Sequence, residues 1–292
     1  MTLEQLRIFI AVAERQHVTQ AARALSLTQS AASAAITALE ARYATKLFNR
    51  VGRGIVLTEA GRLFLVEARA VLARASVAEA VLADLAGMKR GSLALAASQT
   101  VANYWLPQVI HRYQLLYPGI KVSLEIGNTE TVTTSVHEGV ADIGFVEGDV
   151  DNPSLAIRPV AEDDLVLVVG PQHPWVRSKP NPVRDFKTQK WVFRERGSGT
   201  RSIFEAALKS LGIDLREMDI ALELPSNEAV RTAVEAGAGV AAISRLVVAN
   251  SLKAGTLAVA DIALPKRKFF ALRHKERHLT QAERAFYDVI SQ

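Results

Sequence analysis

The chain has 292 residues, 49% of them hydrophobic and 22% charged, which gives room for two or three compact units that fold without a disulfide or a structural metal. Cysteine is absent, which excludes thiolate zinc sites and disulfide frameworks and fits a reducing, cytoplasmic setting. The net charge of +5 is unevenly placed: residues 1–90 hold 12 Lys/Arg against 7 Asp/Glu and residues 91–292 hold 23 against 23, so only the N-terminal third has the bias that suits a polyanion, an excess that ordinary surfaces also show.

The opening stretch, MTLEQLRIFIAVAERQ, has an acidic residue at position 4 and no apolar run ending in a small-residue cleavage site. No segment approaches the roughly 18 apolar residues of a membrane helix, so the expectation is a chain neither exported nor embedded. Leu3, Leu6, Phe9, Ile10 and Ala13 follow the spacing of an amphipathic helix. Thr19 then reads as the cap of a short alanine-rich helix, QAARALS, and Ser26-Leu27-Thr28 as a tight turn. A further helix is predicted from Gln29 to Arg42, with Ala32, Ile36 and Leu39 on one face and Gln29, Ser30, Ser33 and Thr37 away from it. Polar side chains at the start of such a helix, Thr28 included, are what a helix-turn-helix presents to base edges and phosphates, since Gln pairs bidentately with adenine and Ser with several edges. A plain helical hairpin with a solvated polar face has the same pattern. Arg50 and Arg53 bracket a glycine turn beside alternating Ile55 and Leu57, the pattern of a two-stranded wing that reaches phosphate or minor groove, or of a solvated basic hairpin.

The run VTQAARALSLTQSAASAAITALEARYATKLFNRVGRGIVLTEAG resembles the N-terminal winged helix-turn-helix of LysR-type transcriptional regulators, in its alanine-rich helix, its TQSA-S core, its LE and LF-R positions and its LT-AG ending. About 60 contiguous residues carry the likeness. The resemblance implies double-stranded DNA as partner and Thr28, Gln29, Ser30, Ser33, Thr37, Arg50 and Arg53 as the DNA-facing residues. One position departs: the family usually has glycine where this chain has Ala44. A left-handed helix terminus there would strain alanine by roughly 1 kcal/mol, so the helix end is expected to shift slightly.

From Glu59 to about Gly87 there is no proline and no glycine besides Gly61, which predicts 26–29 helical residues and about 40 Å of helix. Leu63, Val66, Ala70, Ala73, Val77 and Ala80 recur as a narrow seam, which suits a second helix or a packing face of the same chain. The resemblance makes it the linker helix that joins two subunits in a homodimer, itself paired in many family members into a homotetramer. Gly87-Met88-Lys89-Arg90-Gly91 reads as the hinge that follows.

Beyond it strands and helices alternate. SLALAAS is a buried strand, a helix runs from about Val101 to Leu116, KVSLEIGN and ADIGFVEG are strands around the helix TETVTTSVHEGV, and DLVLVVGPQHP opens a second similar unit. This βαβ series predicts a mostly parallel sheet wrapped by helices. KRKFFALRH is a late strand and LTQAERAFYDVI a final helix. The fold class is therefore α/β, with a winged helix-turn-helix, a long linker helix and, by resemblance, a periplasmic-binding-protein-like effector domain of two subdomains. The expected boundaries are 1–58, 59–90 and 91–292, with subdomain I at 91–162 plus 266–292 and subdomain II at 163–265. The crossings fall near Glu162-Asp163 and Pro265-Lys266.

Ligands of such sheets bind beyond the carboxyl ends of strands. Ser98, Gln99 and Thr100 follow the first strand, Asn128 and Thr129 the second, and Glu147 ends the third, while Ser226 and Asn227 precede a later helix. The segment RERGSGTR, residues 194–201, lacks the lysine and the span of a Walker A loop. Its glycines, Gly197 and Gly199, permit a turn in which backbone N–H groups and the hydroxyls of Ser198 and Thr200 face one point, an arrangement that favours a small anion, with Arg194, Arg196 or Arg201 as charge; a well-capped helix start has the same residues. Together with ASQTVANYWLP, IGNTETV and DIGFVEG this segment resembles the YeiE/CysL-like branch of the LysR family, associated with sulfite and sulfur metabolism. The resemblance implies a sulfur oxyanion between Ser98, Gln99 and Thr100 on one side and Gly197 to Thr200 on the other. Glu147 would repel it unless it accepts a hydrogen bond from a protonated ligand or a water, or it simply holds a neighbour.

No catalytic constellation is present. The six histidines, His17, His111, His137, His173, His274 and His278, are scattered, and only His274 and His278 have i, i+4 spacing, on a Lys/Arg-rich strand exit that reads as surface rather than metal site. No nucleophile elbow, HExxH or Rossmann fingerprint occurs, so no enzyme, metal or cofactor is expected. The last 200 residues alone would suit a transport-type solute-binding protein; the N-terminal reader argues against that.

Overall fold

The computed structural model describes residues 1–51, 54–85 and 91–291. It divides into two compact units, Met1–Leu82 with Glu138–Val140, and Ala83–His137 with Ala141–Gln292. Arg53 and residues 87–90 of the expected hinge lie outside the described residues, as does the side chain of Ala80.

The first unit contains α1 (Leu3–Arg15), α2 (Val18–Ala24), α3 (Gln29–Arg42), β1 (Phe48–Val51), β2 (Gly54–Leu57) and the start of α4 (Glu59–Leu85). Leu6, Phe9 and Val12 of α1 meet Ala21 and Ala22 of α2 and Ala32, Ile36 and Leu39 of α3, and the small alanines let the helices approach closely. Phe9 sits between Phe48 of β1 and Phe64 of α4, at ring separations of 5.4 and 4.9 Å, so the wing and α4 share the core of the helices. Thr19 is not a cap. Gln16 turns the chain in a left-handed conformation (φ 49°), and α2 starts two residues early, with His17 at its N-cap and no side-chain cap bond. The cap of α3 is Thr28, whose hydroxyl accepts from the Ala31 N–H at 3.2 Å.

The end of α3 does not shift to spare Ala44. Ala44 adopts φ 48°, its N–H bonds to the Ala41 carbonyl, and the Thr45 N–H bonds to the Glu40 carbonyl, the paired bonds of a Schellman terminus. Glu40 fixes this corner. Its carboxylate accepts from the N–H groups of Leu47 (2.8 Å) and Phe48 (3.2 Å) and from Lys46 Nζ (2.6 Å), so the start of β1 is tied to α3. Burial pushes the Glu40 carboxyl up, but these hydrogen bonds outweigh it and hold it below its ordinary range.

The second unit contains β3 (Gly91–Ser98), α5 (Gln99–Tyr104), α6 (Leu106–Leu116), β4 (Ile120–Gly127), α7 (Thr129–Glu138), β5 (Ile143–Glu147), β6 (Leu155–Val169), α8 (Pro182–Asp185), β7 (Lys190–Arg194), α9 (Gly199–Ser210), β8 (Asp219–Leu224), α10 (Asn227–Glu235), β9 (Ala241–Ser244), α11 (Arg245–Ala254), β10 (Ala258–Val259), β11 (Lys266–His274) and α12 (Gln281–Ile290). The helix expected from Val101 to Leu116 is broken at Trp105, because Pro107, in the first turn of α6, has no N–H and cannot continue α5.

The large sheet is mixed, not mostly parallel. Its order is β10-β6-β11-β5-β3-β4, with β9 also on β6. β3 runs parallel to β4 and β5, but β11 is antiparallel to both β5 and β6, and β9 and β10 are antiparallel to β6. Two long strands crossing between the halves produce this. β6 pairs β11 over Leu155–Asp164 and then β9 over Leu165–Val168, so one strand serves both halves. β7 and β8 form a separate parallel pair, bridged at Trp191 to Val240. Each half has a core on both faces of its strands. In β6, Leu167 and Val169 face Trp175, Trp191 and Phe204, while Val166 and Val168 face Val230, Val234 and Val248. In the other half Leu95, Phe145 and Phe269 pack with Tyr113 and Phe286, and Ala96 and Val146 with Val132 and Val136.

Candidate functional site

The turns at the carboxyl ends of β3 and β5 and the starts of α9 and α10 converge, as strand topology of this kind dictates. At the centre is the carboxylate of Glu147, only 2% exposed, at the end of β5. Ser98 Oγ donates to its Oε2, and the hydroxyls of Thr100 and Thr200 each donate to its Oε1 at 3.4 Å. Arg267 Nη1 lies 3.8 Å from the same Oε1 and donates to Thr200 Oγ1 at 2.8 Å. The other side of this guanidinium is held by Asp163, through Nε at 2.7 Å, and Asp163 in turn accepts from Ser244 Oγ at 3.0 Å.

The constellation extends across both halves. Asn227 Nδ2 donates to Thr100 Oγ1 at 3.0 Å and Asn227 Oδ1 accepts from Arg194 Nη1. Arg194 also grips Glu195 with Nε and Nη2 at 2.7 and 2.9 Å, and Glu195 accepts from Asn128 Nδ2 at 3.2 Å. The Glu195 carboxyl, raised by burial, is held low overall by Arg194 and Asn128. Gln99 accepts from the Asn227 N–H at 3.0 Å and donates to the Pro225 carbonyl at 2.8 Å. Thr129 Oγ1 donates to the Glu147 backbone carbonyl at 2.7 Å. Gly199 lies against that carbonyl so closely that a Cβ would come within 1.9 Å of it, which explains why glycine stands at this point of the GSGT turn.

Ser98, Thr100, Glu147, Thr200 and Asn227 are thus brought into one buried network, with Gln99, Asn128, Thr129 and Arg194 in the surrounding layer. Gly197 and Ser198 lie beside them. Gly197, in a left-handed conformation (φ 84°), faces Asn128 and Glu130, and Ser198 caps α9 with its Oγ buried and without a partner among the described residues. Arg201 turns away from the network to Glu205, Glu223 and the Arg194 carbonyl. Arg196 is exposed on a cavity of about 600 Å³ that Thr129, Gly197 and Ser198 also line, together with the carboxylates of Glu130, Asp149, Asp151 and Glu205. The positive charge at the centre therefore comes from Arg267, which the sequence reading missed. A signal existed: Arg267, Phe269 and Ala271 alternate on the buried side of β11, and a charged residue in such a row needs a buried partner.

In the first unit Gln29, Ser30 and Thr37 are exposed and Ser33 half-buried, and together with Ala34, Ala38 and Ala41 they line one shallow groove along α3. Thr28 is exposed at the start of the helix and Arg50 is exposed on β1, opposite Ile55 of β2. His137 and His274 have neighbouring rings, at 5.9 Å, and no group of three or more His, Cys, Asp or Glu placed to hold a metal occurs among the described residues.

A helix-turn-helix with a wing, a long helix and a two-lobed α/β unit with polar residues at its strand ends is a specific combination, and comparison with known proteins agrees with it along the chain. Residues 3–62 match the family "Bacterial regulatory helix-turn-helix protein, lysR family", and residues 86–292 match "LysR substrate binding domain". Over 290 residues the chain is 38% identical to the "Uncharacterized HTH-type transcriptional regulator YeiE" of Escherichia coli (strain K12), covering 99% of this chain and 96% of that one. It is 34% identical over 252 residues to the HTH-type transcriptional regulator CysL of Bacillus subtilis (strain 168), covering 86% and 83%. Full-length CbnR, solved in complex with its target DNA, superposes with a TM-score of 0.70 at 25% identity, covering 100% of this chain and 99% of that one. The chain is a member of the LysR family of transcriptional regulators, a DNA-binding protein with an effector-binding domain and not an enzyme.

Proposed function

We propose that this regulator responds to a small oxyanion, with a sulfur oxyanion such as sulfite as first choice, bound where the Glu147 carboxylate now collects its donors. The observation that carries this reading is the convergence of Ser98, Thr100, Thr200 and Arg267 on one buried carboxylate: a set of donors suited to an oxyanion is already assembled. The start of α9 adds its N-terminal dipole and the unpartnered Ser198 hydroxyl. The resemblance to the sulfur-associated branch of the family supports sulfite over other anions.

In this reading residues 1–58 hold DNA, residues 59–90 join two subunits, and residues 91–292 bind the effector. Gln29, Ser30, Ser33 and Thr37 face base edges and phosphates, and Thr28, Arg50 and Arg53 contact the backbone. The protein works in the cytoplasm as a homodimer, paired again into a tetramer. A ligand shifts its activity only by binding one closure of the two lobes better than another, a coupling of about 1–3 kcal/mol. Calorimetric titration with sulfite, against sulfate, phosphate and O-acetylserine, tests the reading. Micromolar, sulfite-selective binding that Thr200→Ala weakens about tenfold is the expected result. No heat with any of them, from folded protein that still binds DNA, sends the search to larger organic acids.

A further inference from the structure

The direction of each hydrogen bond around Glu147 restricts what can enter. Thr100 Oγ1 accepts from Asn227 Nδ2, so its own proton goes to Glu147; Thr200 Oγ1 accepts from Arg267 Nη1, so its proton also goes to Glu147. Ser98 spends its proton there too. An arriving anion must take these protons for itself. Glu147 cannot retreat with its backbone, because the Thr129 hydroxyl holds its carbonyl and Gly199 is packed on it. A carboxylate only accepts, and left buried without a donor it is strongly unfavourable. The charges sharpen the problem: Arg267 is shared between Glu147 and Asp163, so a second unshielded anion beside them meets net repulsion. Arg267 Nη2 also lies 2.6 Å from Asp163, so Asp163 holds this guanidinium more closely than Glu147 does.

We infer that the site selects an oxyanion that carries its own hydroxyl, one that donates its O–H to Glu147 while its unprotonated oxygens take over the hydroxyls of Ser98, Thr100 and Thr200 and the Arg267 guanidinium. Hydrogen sulfite and small α-hydroxy acids belong to this class; sulfate and simple carboxylates do not. This selectivity rests on the oxyanion reading above and adds a donor requirement to it.

The test is calorimetric titration of the full chain with two matched pairs, hydrogen sulfite against sulfate at mildly acidic pH, and glycolate against acetate. In the wild type the hydroxyl-bearing member of at least one pair should bind roughly 10- to 100-fold tighter, the range set by leaving a buried charged acceptor without its donor. Glu147→Gln, whose amide both donates and accepts, should bring that ratio near one or invert it. Ser98→Ala, which removes one donor and no charge, should weaken both members and keep the ratio, so the test survives if Glu147→Gln fails to fold. Equal affinities within both pairs, or a ratio that Glu147→Gln leaves intact, would overturn the donor requirement and leave the oxyanion reading standing. Failure of all four to bind the folded wild type would overturn the oxyanion reading and this selectivity together.

Discussion

Ala44 holds a backbone conformation that costs an L-residue, and the two Schellman hydrogen bonds around it show why the strain is tolerated: moving the helix end would leave the carbonyls of Glu40 and Ala41 unpaired and displace Glu40 from the wing. Ala44→Gly should therefore stabilise the protein by about 1 kcal/mol, read as a higher denaturant midpoint at unchanged slope. Glu283 makes a second prediction. It is 4% exposed in the first turn of α12, accepting from the Thr280 N–H at 2.8 Å, and burial first, with Asp142 nearby, raises its carboxyl to about 7. A raised carboxyl binds its proton more tightly folded than unfolded, so its contribution to stability is complete below the unfolded value near 4.5 and is lost as pH rises through about 7. Glu283→Gln keeps the cap and removes the titration. Its stability relative to wild type should rise between pH 5 and pH 8, by an amount on the order of a few kcal/mol, measured by urea denaturation at the two values.

Among the elements, the crossing strands β6 and β11 carry the greatest concentration of consequence. They bind the two lobes into one sheet and place Asp163 and Arg267 opposite each other in register, both buried, at the edge of the Glu147 cluster. Arg267→Met should cost about 3–5 kcal/mol, because Asp163 would stay buried without its cation. Adding Asp163→Leu should restore much of that loss while ligand binding stays weak; a double-mutant cycle of denaturation curves measures the coupling. The start of α9 is equally constrained. Gly199→Ala must push the Glu147 carbonyl or Thr129 aside, and a loss of roughly 1–3 kcal/mol together with loss of ligand response is expected.

For the whole molecule, the charge bias and the long helix matter most. Arg50 is exposed on the wing of the basic third, and Arg50→Ala should weaken binding to all DNA sequences alike and reduce the salt slope of log affinity by about 1. On α4 one side, Phe64, Leu65, Ala68 and Leu72, packs on the helix-turn-helix core. Leu63 and Val66 are 70% and 48% exposed, two neighbouring apolar side chains that the described residues leave largely open. For the proposed dimer, Leu63→Glu with Val66→Glu should leave the fold intact, shift sedimentation toward the monomer and weaken DNA binding; unchanged sedimentation would count against α4 as the joining helix.

Local pattern determined a great deal of this protein. The 3, 4 spacing and the tight turn at Ser26-Leu27-Thr28 placed α3 at Gln29–Arg42, short apolar runs placed β3 and β5, and the uninterrupted run after Glu59 gave the long helix, because each depends on residues a few positions apart. Ser98, Thr100, Glu147, Thr200 and Asn227 were legible as strand-end and helix-start residues for the same reason. What only tertiary structure decided are features set by partners far along the chain. The antiparallel crossings make the sheet mixed, the Schellman bonds keep Ala44 left-handed, and Arg194 and Arg201 are neutralised by Glu195, Glu205 and Glu223. Arg267 reaches Glu147 across 120 positions of sequence, and no local spacing encodes that approach; it follows from β11 pairing with both β5 and β6, which sets the buried guanidinium between the carboxylates of Glu147 and Asp163.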